Sequence, residues 1–342
     1  MAAAYACGPP PPPGVPGGTR ERSSDAGSEP TEELPGEFDD GGGGTGGIGV
    51  TPPTGQPEIK IGTWNISAFS AAKADQPANA STSGYQNQNK AQFIASVIKV
   101  HKFAAFCLQE VQSRIAITRL QAALGGDYTT IEGSSVAPAG VTNFFTLLVF
   151  DNTTLEQVAA KPGGVSSGSH SATGIGRMPT WAHLRVKDAF GPNPSTGKQR
   201  FDFLLACTHF AHPNNMTVQT AEFQAVNQLH GAVGGQTGGF AGLSGSNKDV
   251  IVAGDFNRET PKPPWDQVSA TDWTVRPPPA ATRPTANTKV DYLIYNSFVA
   301  KEDYARGILM LPANLSSDIT SGVSDHVPVY ATFYSNQDTK DE

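Results

Sequence analysis

From Glu58 onward the chain is a succession of short apolar runs broken by Gly, Asn, Ser and Pro, and that rhythm leaves room for few architectures. Residues 59–64, Ile-Lys-Ile-Gly-Thr-Trp, alternate as a strand with one buried face. Apolar or alternating runs at 103–108, 144–150, 180–186, 200–207, 249–253, 290–295 and 327–333 read as further strands. Helical spacing is found in three places. Ile94, Val97 and Ile98 share a face in 89–101. Ile117, Leu120 and Leu124 share one in 114–124, closed by Gly125-Gly126. Val218, Ala221, Ala225 and Leu229 share one in 217–229. Strands outnumber helices and are mixed with them, which predicts an α/β (α+β) sandwich. The stretches 71–89, 161–174, 231–248 and 259–288 are expected to be long polar or Pro-rich loops.

The first 56 residues break this rhythm. They hold 14 of the 37 Gly and 10 of the 27 Pro, with eight acids against two bases, so most of the net charge of −7 lies there. Such a segment buries too little apolar surface to offset chain entropy, and 1–56 is expected to be a disordered tail or tether. One domain is expected over 57–335, followed by a short polar tail, 336–342. The sign of the charge excludes a basic nucleic-acid-binding arm. No apolar run approaches the ~18 residues of a membrane-spanning helix. Three cysteines in so long a chain exclude a disulfide-dense scaffold. Cys107 and Cys207 lie in apolar strands and are expected to pack as small hydrophobes, without a bridge between them. Cys7 follows Ala-Ala-Ala-Tyr-Ala and precedes the tail, an arrangement similar to the junction of a bacterial lipoprotein. With few lysines and many amides and hydroxyls, this points to a secreted or cell-surface protein.

Five times an apolar strand abuts acids, amides or histidines. Asn65 ends the first strand, Gln109-Glu110 the Cys107 strand and Thr208-His209 the Cys207 strand. Asp255 and Asn257 follow Val-Ile-Val-Ala-Gly, and Ser324-Asp325-His326 open the last strand. Any one of these reads as a cap, a solvated acid or a satisfied histidine. Five at strand ends on one rim converge in space. Glu110 and Asn65 offer hard oxygen ligands, suited to Mg2+ or Mn2+, and no Cys/His spacing suggests zinc. Asp255 and Asn257, two apart, point the same way in extended chain. His209 and His326 titrate near neutrality, and Asp325 or Asp291 can fix a tautomer. These are the parts for in-line hydrolysis of a phosphoester.

Thr63-Trp64-Asn65, Leu108-Gln109-Glu110-Val111, Thr208-His209, Gly254-Asp255-Phe256-Asn257 and Ser324-Asp325-His326 resemble, in order and rough spacing, the motif set of the endonuclease/exonuclease/phosphatase superfamily. Within it the chain is most similar to the deoxyribonuclease I and cytolethal distending toxin active-subunit branches. The resemblance implies a four-layer αββα sandwich with the active site at one rim. It implies Glu110, helped by Asn65 and Asp325, as metal ligands. It implies His209 as the acid for the leaving oxygen, Asp255 as the residue that orients or deprotonates water, and His326 as the second histidine with Asp291 as its partner. It implies Asn257, Arg177 and Arg258 as phosphate contacts. The glutamate that supports the first histidine in the deoxyribonuclease I branch has no counterpart in Thr142-Asn143-Phe144-Phe145.

The implied activity is that of a Mg2+- or Mn2+-dependent phosphodiesterase, acting as a monomeric endonuclease on nucleic acid. The alternatives are a phospholipid or inositol-phosphate phosphoesterase and a non-catalytic binding module. Loss of Glu110, Asp255 or a histidine would mark the last, and all are present. Nucleic acid asks for cations along a groove, for which Arg114, Arg119, Arg185, Lys187, Lys198 and Arg200 are candidates. A lipid enzyme asks for apolar loop tips, for which Phe240 and Trp265 are candidates.

Overall fold

The computed structural model describes residues 58–81, 85–133, 144–158, 167–169, 179–187, 200–231, 249–296, 299, 303–308 and 322–335. The expected tails, Cys7, Asn143, Arg177, Lys198, Phe240, the loop 232–248 and most of 161–174 lie outside these. The strands in chain order are β1 (Glu58–Phe69), β2 (Phe103–Val111), β3 (Tyr128–Glu132), β4 (Phe145–Asp151), β5 (Leu155–Gln157), β6 (Ser167–Ser169) and β7 (Thr180–Val186). They continue with β8 (Asp202–His209), β9 (Val250–Asp255), β10 (Trp273–Val275), β11 (Asp291–Asn296), β12 (Asp303–Ile308) and β13 (Val329–Tyr334). The helices are α1 (Ala71–Ala74), α2 (Lys90–Val100), α3 (Arg114–Leu124) and α4 (Met216–Gly231).

Two sheets result, with strand orders β12-β13-β1-β2-β4-β3 and β10-β11-β9-β8-β7-β5, β6 adding to β7. Period-two alternation assigns each strand's two faces. Ile59, Ile61, Ala105, Cys107 and Leu148 of the first sheet meet Phe203, Leu205, Cys207, Ile251, Ala253 and Leu293 of the second in a central core. Trp64, Phe106 and Leu108 turn outward onto Ile94, Val97, Ile117 and Leu120 of α2 and α3. Leu204, Ala206, Val250 and Val252 turn outward onto Phe223, Val226 and Leu229 of α4. The layers are therefore helix, sheet, sheet, helix, as expected.

The helices begin where local chemistry starts them. Asn89 accepts from Gln92 N while the Gln92 side chain accepts from Asn89 N, a capping box for α2. Ser113 accepts from Ala116 N at the start of α3, and Gly125, at φ 84°, ends it. Two expected loops hold more order than their composition announces. The stretch 71–89 contains α1, and 259–288 contains β10 and the 3-10 turns Trp265–Gln267 and Pro284–Ala286. Trp265 is buried against Phe223, Phe256 and Tyr292, so it is a core residue and not a lipid-facing tip.

The cysteines overturn one expectation. Cys107 and Cys207 form a disulfide, with S–S 2.11 Å and Cα–Cα 5.3 Å. Both are inward-facing, on β2 and β8 of opposite sheets, which periodicity within each strand does not reveal. The bridge closes a separation of 100 residues. In the chain-entropy view, a loop of that size removes on the order of 4–5 kcal/mol of denatured-state freedom.

Candidate active site

The site follows from strand parity. In β1, β8, β9 and β11 the odd-numbered residues face the opposite sheet, so Asn65, His209, Asp255 and Asp291 extend the rows of core residues to the rim. β8 and β9 are parallel and β11 is antiparallel to β9. His209 is in register with Asp255, and Asp255 with Asp291. Three functional side chains thus stand in one transverse row, each buried. Gly254 permits the row: a Cβ there would lie 2.0 Å from the Thr208 carbonyl oxygen of the adjacent strand.

Asp255 is the hub. Its Oδ1 accepts the Asn257 N–H at 2.7 Å, and its Oδ2 accepts from Asn65 Nδ2 at 2.9 Å. The same Oδ2 lies 3.7 Å from His209 Nε2 and 4.0 Å from His326 Nε2. Burial and the charge of Asp291 push this carboxyl up to about 7, against the pull of His326, Asn65 and the Asn257 N–H. Asn257 adopts a left-handed φ of 52°, and its Nδ2 donates to the Phe210 carbonyl at 2.9 Å. An amide NH2 carries two hydrogens, so one remains for a ligand oxygen. From α4, Gln219 donates to the Ala211 carbonyl at 3.0 Å and reaches those of Phe256 and Asn257. Glu222 accepts the Ala211 N–H. Both loops beside the row are tied to this helix.

Glu110 reaches the rim through a bulge. Alternation in β2 would send it outward with Phe106 and Leu108. Its φ of 63° and the register shifts flanking it turn it instead toward Asn65. Glu110 Oε1 accepts from Asn65 Nδ2 at 3.1 Å and lies 3.8 Å from His209 Nε2, and Oε2 accepts the Ala68 N–H at 2.8 Å. Asn65 Oδ1 accepts the Ser67 N–H at 2.9 Å. Ser67 and Ala68 are themselves left-handed, at φ 46° and 51°. The Phe144 ring packs 6.1 Å from the His209 ring.

His326 is held on every side. Its Nδ1 is 2.8 Å from Asp291 Oδ2, its N–H donates to Ser324 Oγ, and its carbonyl accepts from Trp64 Nε1 at 2.9 Å. Burial pulls the imidazole down, but the charge and hydrogen bond of Asp291, with the charges of Asp255 and Asp325, push it up to about 9. Thr282 Oγ1 accepts the N–H groups of Val290 and Asp291, and its carbonyl accepts the Val327 N–H, so one buried threonine ties both segments of the pair together. Asp325 Oδ1 is 3.9 Å from His326 Nε2. Its Oδ2 accepts from Arg283 Nε at 3.2 Å and from an Arg283 terminal nitrogen at 2.7 Å.

Among the described residues most candidate cations are paired. Arg114 meets Glu132, Arg119 meets Asp75, Arg185 meets Asp202, and Arg200 meets Glu156. Arg258 donates its Nε–H to the Pro263 carbonyl. Sequence reasoning missed Thr282, Arg283, Gln219 and Lys73. Lys73 donates its ammonium to the carbonyls of Ile66 and Ser67. Burial and Lys90 draw that ammonium down to about 8, against the charges of Glu110 and Asp325.

Comparison with known proteins agrees with this geometry. The profile of the Endonuclease/Exonuclease/phosphatase family matches residues 62–326. The chain belongs to the endonuclease/exonuclease/phosphatase family. No curated protein matches it. Among solved structures it is similar to a family member from Bacteroides vulgatus, with 16% identity over 81% of this chain and 98% of that one and a TM-score of 0.53. It is similar to a mannosyl-6-phosphatase from Bacteroides thetaiotaomicron, with 15% identity over 80% and 98% and a TM-score of 0.54. It is similar to TDP2 of D. rerio humanized by 14 mutations, with 14% identity over 81% and 98% and a TM-score of 0.51. At such identities the likeness concerns the fold.

Endonuclease/exonuclease/phosphatase enzymes are divalent-metal-dependent hydrolases of phosphoester bonds. Two donor sets on this rim can be weighed for a cation. Asp255, Asp291 and His326 bring ligand atoms within 4.8 Å of one another, but all three are buried and already bonded among themselves or to neighbours. Glu110 and Asp325 are more open, with side chains 23% and 38% exposed. With the second lone pair of Asn65 Oδ1 they offer oxygen donors of the hard type. That fits Mg2+ or Mn2+, which keep part of their hydration when bound.

Proposed function

We propose that the protein is a Mg2+- or Mn2+-dependent phosphodiesterase, and that it acts on nucleic acid as an endonuclease. The observation that carries the chemistry is the position of Asp255 Oδ2, held by Asn65 and flanked by the Nε2 atoms of His209 and His326. Glu110, Asn65 and Asp325 would hold a divalent cation, which would neutralise phosphoryl charge. The protein groups do the rest. Asp255, pushed up to about 7, is matched to accept a proton from the attacking water near neutrality. The water oxygen bonds to phosphorus as the opposite P–O bond breaks, and His209 gives its proton to the departing oxygen. His326, charged at neutral pH and anchored by Asp291, faces the phosphoryl oxygens, and Asn257 with Arg258 and Arg177 orients them.

Gln109-Glu110-Val111, similar to the deoxyribonuclease I branch, and Gly254 through Arg258, similar to the toxin branch, support the nuclease reading, while the five ordered motifs are common to the superfamily. A second reading, hydrolysis of a phospholipid or inositol phosphoester, gains from one observation. Arg114 and Arg119, candidates for a nucleic-acid groove, are paired with acids, and Arg185 and Arg200 lie at the end of their sheet away from His209. The Cys107–Cys207 bridge supports a secreted or cell-surface location, since such bridges persist in oxidising compartments. We read the protein as a monomer. The test is purified protein with Mg2+, Mn2+ or chelator against plasmid DNA, sphingomyelin and an inositol polyphosphate. Nicking of plasmid that chelator abolishes is the expected result. Turnover of only the lipid or inositol substrate replaces the nuclease reading with the second, and no turnover of any substrate removes the catalytic one.

A further inference from the structure

The turn near the end of β1 is an unusual object. Ser67 and Ala68 are consecutive, neither is glycine, and both hold the left-handed conformation, at φ 46° and 51°. L-residues with a Cβ resist that region, so a two-residue stretch of it persists only where the surroundings over-determine it. Two hydrogen bonds link this turn to the rim, Ser67 N–H to Asn65 Oδ1 and Ala68 N–H to Glu110 Oε2, and a third, Asn65 Nδ2 to Glu110 Oε1, joins their two acceptors. The carbonyls at the turn, those of Ile66 and Ser67, have a different partner. Both accept from the ammonium of Lys73.

Lys73 is placed for this by α1. Ser70 caps that helix by accepting the Lys73 N–H, so the backbone of Lys73 is fixed as well as its ammonium. A lysine serving only solubility or the helix end would keep its head in water. This one is half-buried, with Lys90 as a cationic neighbour and Glu110 and Asp325 as anionic ones. Lys90 itself is buried and donates to Gln76 Oε1.

We propose that Lys73 is a positioning residue for the cation site, clamping the left-handed Ser67–Ala68 turn so that the Ala68 N–H and Asn65 hold Glu110 in its ligating pose. The inference rests on the metal-dependent reading above, and it assigns Lys73 a task distinct from charge balance. The two roles differ in sign. A lysine that merely opposes the cation electrostatically would, on removal, let the cation bind more tightly. A lysine that shapes the ligand set would, on removal, weaken binding, as loss of groups that orient metal ligands does by about 10- to 100-fold.

The test uses the full chain without substrate. Mn2+ binding is measured by calorimetric titration for wild type, Lys73→Met and Lys73→Arg, and amide hydrogen exchange is followed at Ser67 and Ala68. Lys73→Met is expected to weaken Mn2+ binding about tenfold or more and to speed exchange at both amides. Lys73→Arg, which still offers donors to two carbonyls, is expected to stay within about threefold of wild type. Should Lys73→Met not melt cooperatively, Lys73→Gln takes its place and carries the same expectation in weaker form. Unchanged or tighter Mn2+ binding in a folded neutral variant, or unchanged exchange at Ser67 and Ala68, overturns the assignment. Wild-type protein that binds no Mn2+ instead overturns the metal-dependent reading, and the exchange comparison still decides whether Lys73 clamps the turn.

Discussion

His209 and Asp255 face each other in register at the ends of parallel strands, with the imidazole Nε2 3.7 Å from the carboxylate Oδ2. That separation is too long for a hydrogen bond and short enough for both groups to meet one phosphoryl centre. His326 Nε2 lies 4.0 Å from the same oxygen, and if both histidines serve one step, His209→Ala and His326→Ala should each cost on the order of 10²-fold or more in rate. The double variant should lose much less than the product, because groups acting in one transition state are not additive. Steady-state rates on the substrate found above provide the check, and a single-variant cost below about threefold would make that histidine structural.

Asp255 is a carboxylate that the fold holds against its own charge. Its carboxyl is pushed up to about 7 by burial and Asp291, so the ionised form is disfavoured in the native state. Asp255→Asn should therefore lose on the order of 10²-fold or more in rate while melting at the same temperature or higher at pH 8. A marked drop in melting temperature would show that the ionised carboxylate organises the rim.

The His326 imidazolium has the opposite relation to the fold. Its pKa lies at about 9 in the native state, above the ~6.5 of an unfolded histidine. A raised pKa contributes stability that is fully present below ~6.5 and lost as pH rises through about 9. In chelator, the melting temperature should fall across that window, and His326→Ala should flatten the fall. Equal slopes in both proteins would remove the Asp291–His326 pair as its source.

Glu110→Gln keeps an acceptor for the Ala68 N–H but removes the charge that faces the cation. The rate should drop and the divalent concentration for half-maximal activity should rise, while the melting temperature without cation stays close to wild type. Full activity of the wild type in excess chelator would contradict the whole donor assignment.

Removing the bridge by Cys107→Ala with Cys207→Ala should destabilise the protein by roughly 2–5 kcal/mol, the usual cost of losing a native disulfide. Denaturant titration measures it. The same protein treated with a reductant should approach the double variant.

Much of the site was legible because period-two alternation and motif order act together. Asn65, His209, Asp255 and Asp291 share one parity, and the sandwich follows from the runs of apolar residues that carry them. What escaped is what crosses between segments distant in sequence. Cys107 and Cys207 meet only because two sheets stack. Glu110 reaches the rim only through a bulge, which alternation argues against. Thr282, Arg283 and Lys73 sit in stretches whose composition reads as loop, and their partners at Asp291, Asp325 and Ser67 lie 9, 42 and 6 residues away. Local patterns have no means of announcing such pairings.

The disulfide joins the two strands that carry Glu110 and His209 near their ends, at Cys107 and Cys207. One cysteine lies three residues before the glutamate and the other two before the histidine. The bridge is thus a covalent ruler between the halves of the rim that come from opposite sheets. The sheets are not free to slide or breathe against each other at this level. The spacing of the two sheets beside the rim is fixed once the bridge forms, and any adjustment there falls to side chains and the surrounding loops.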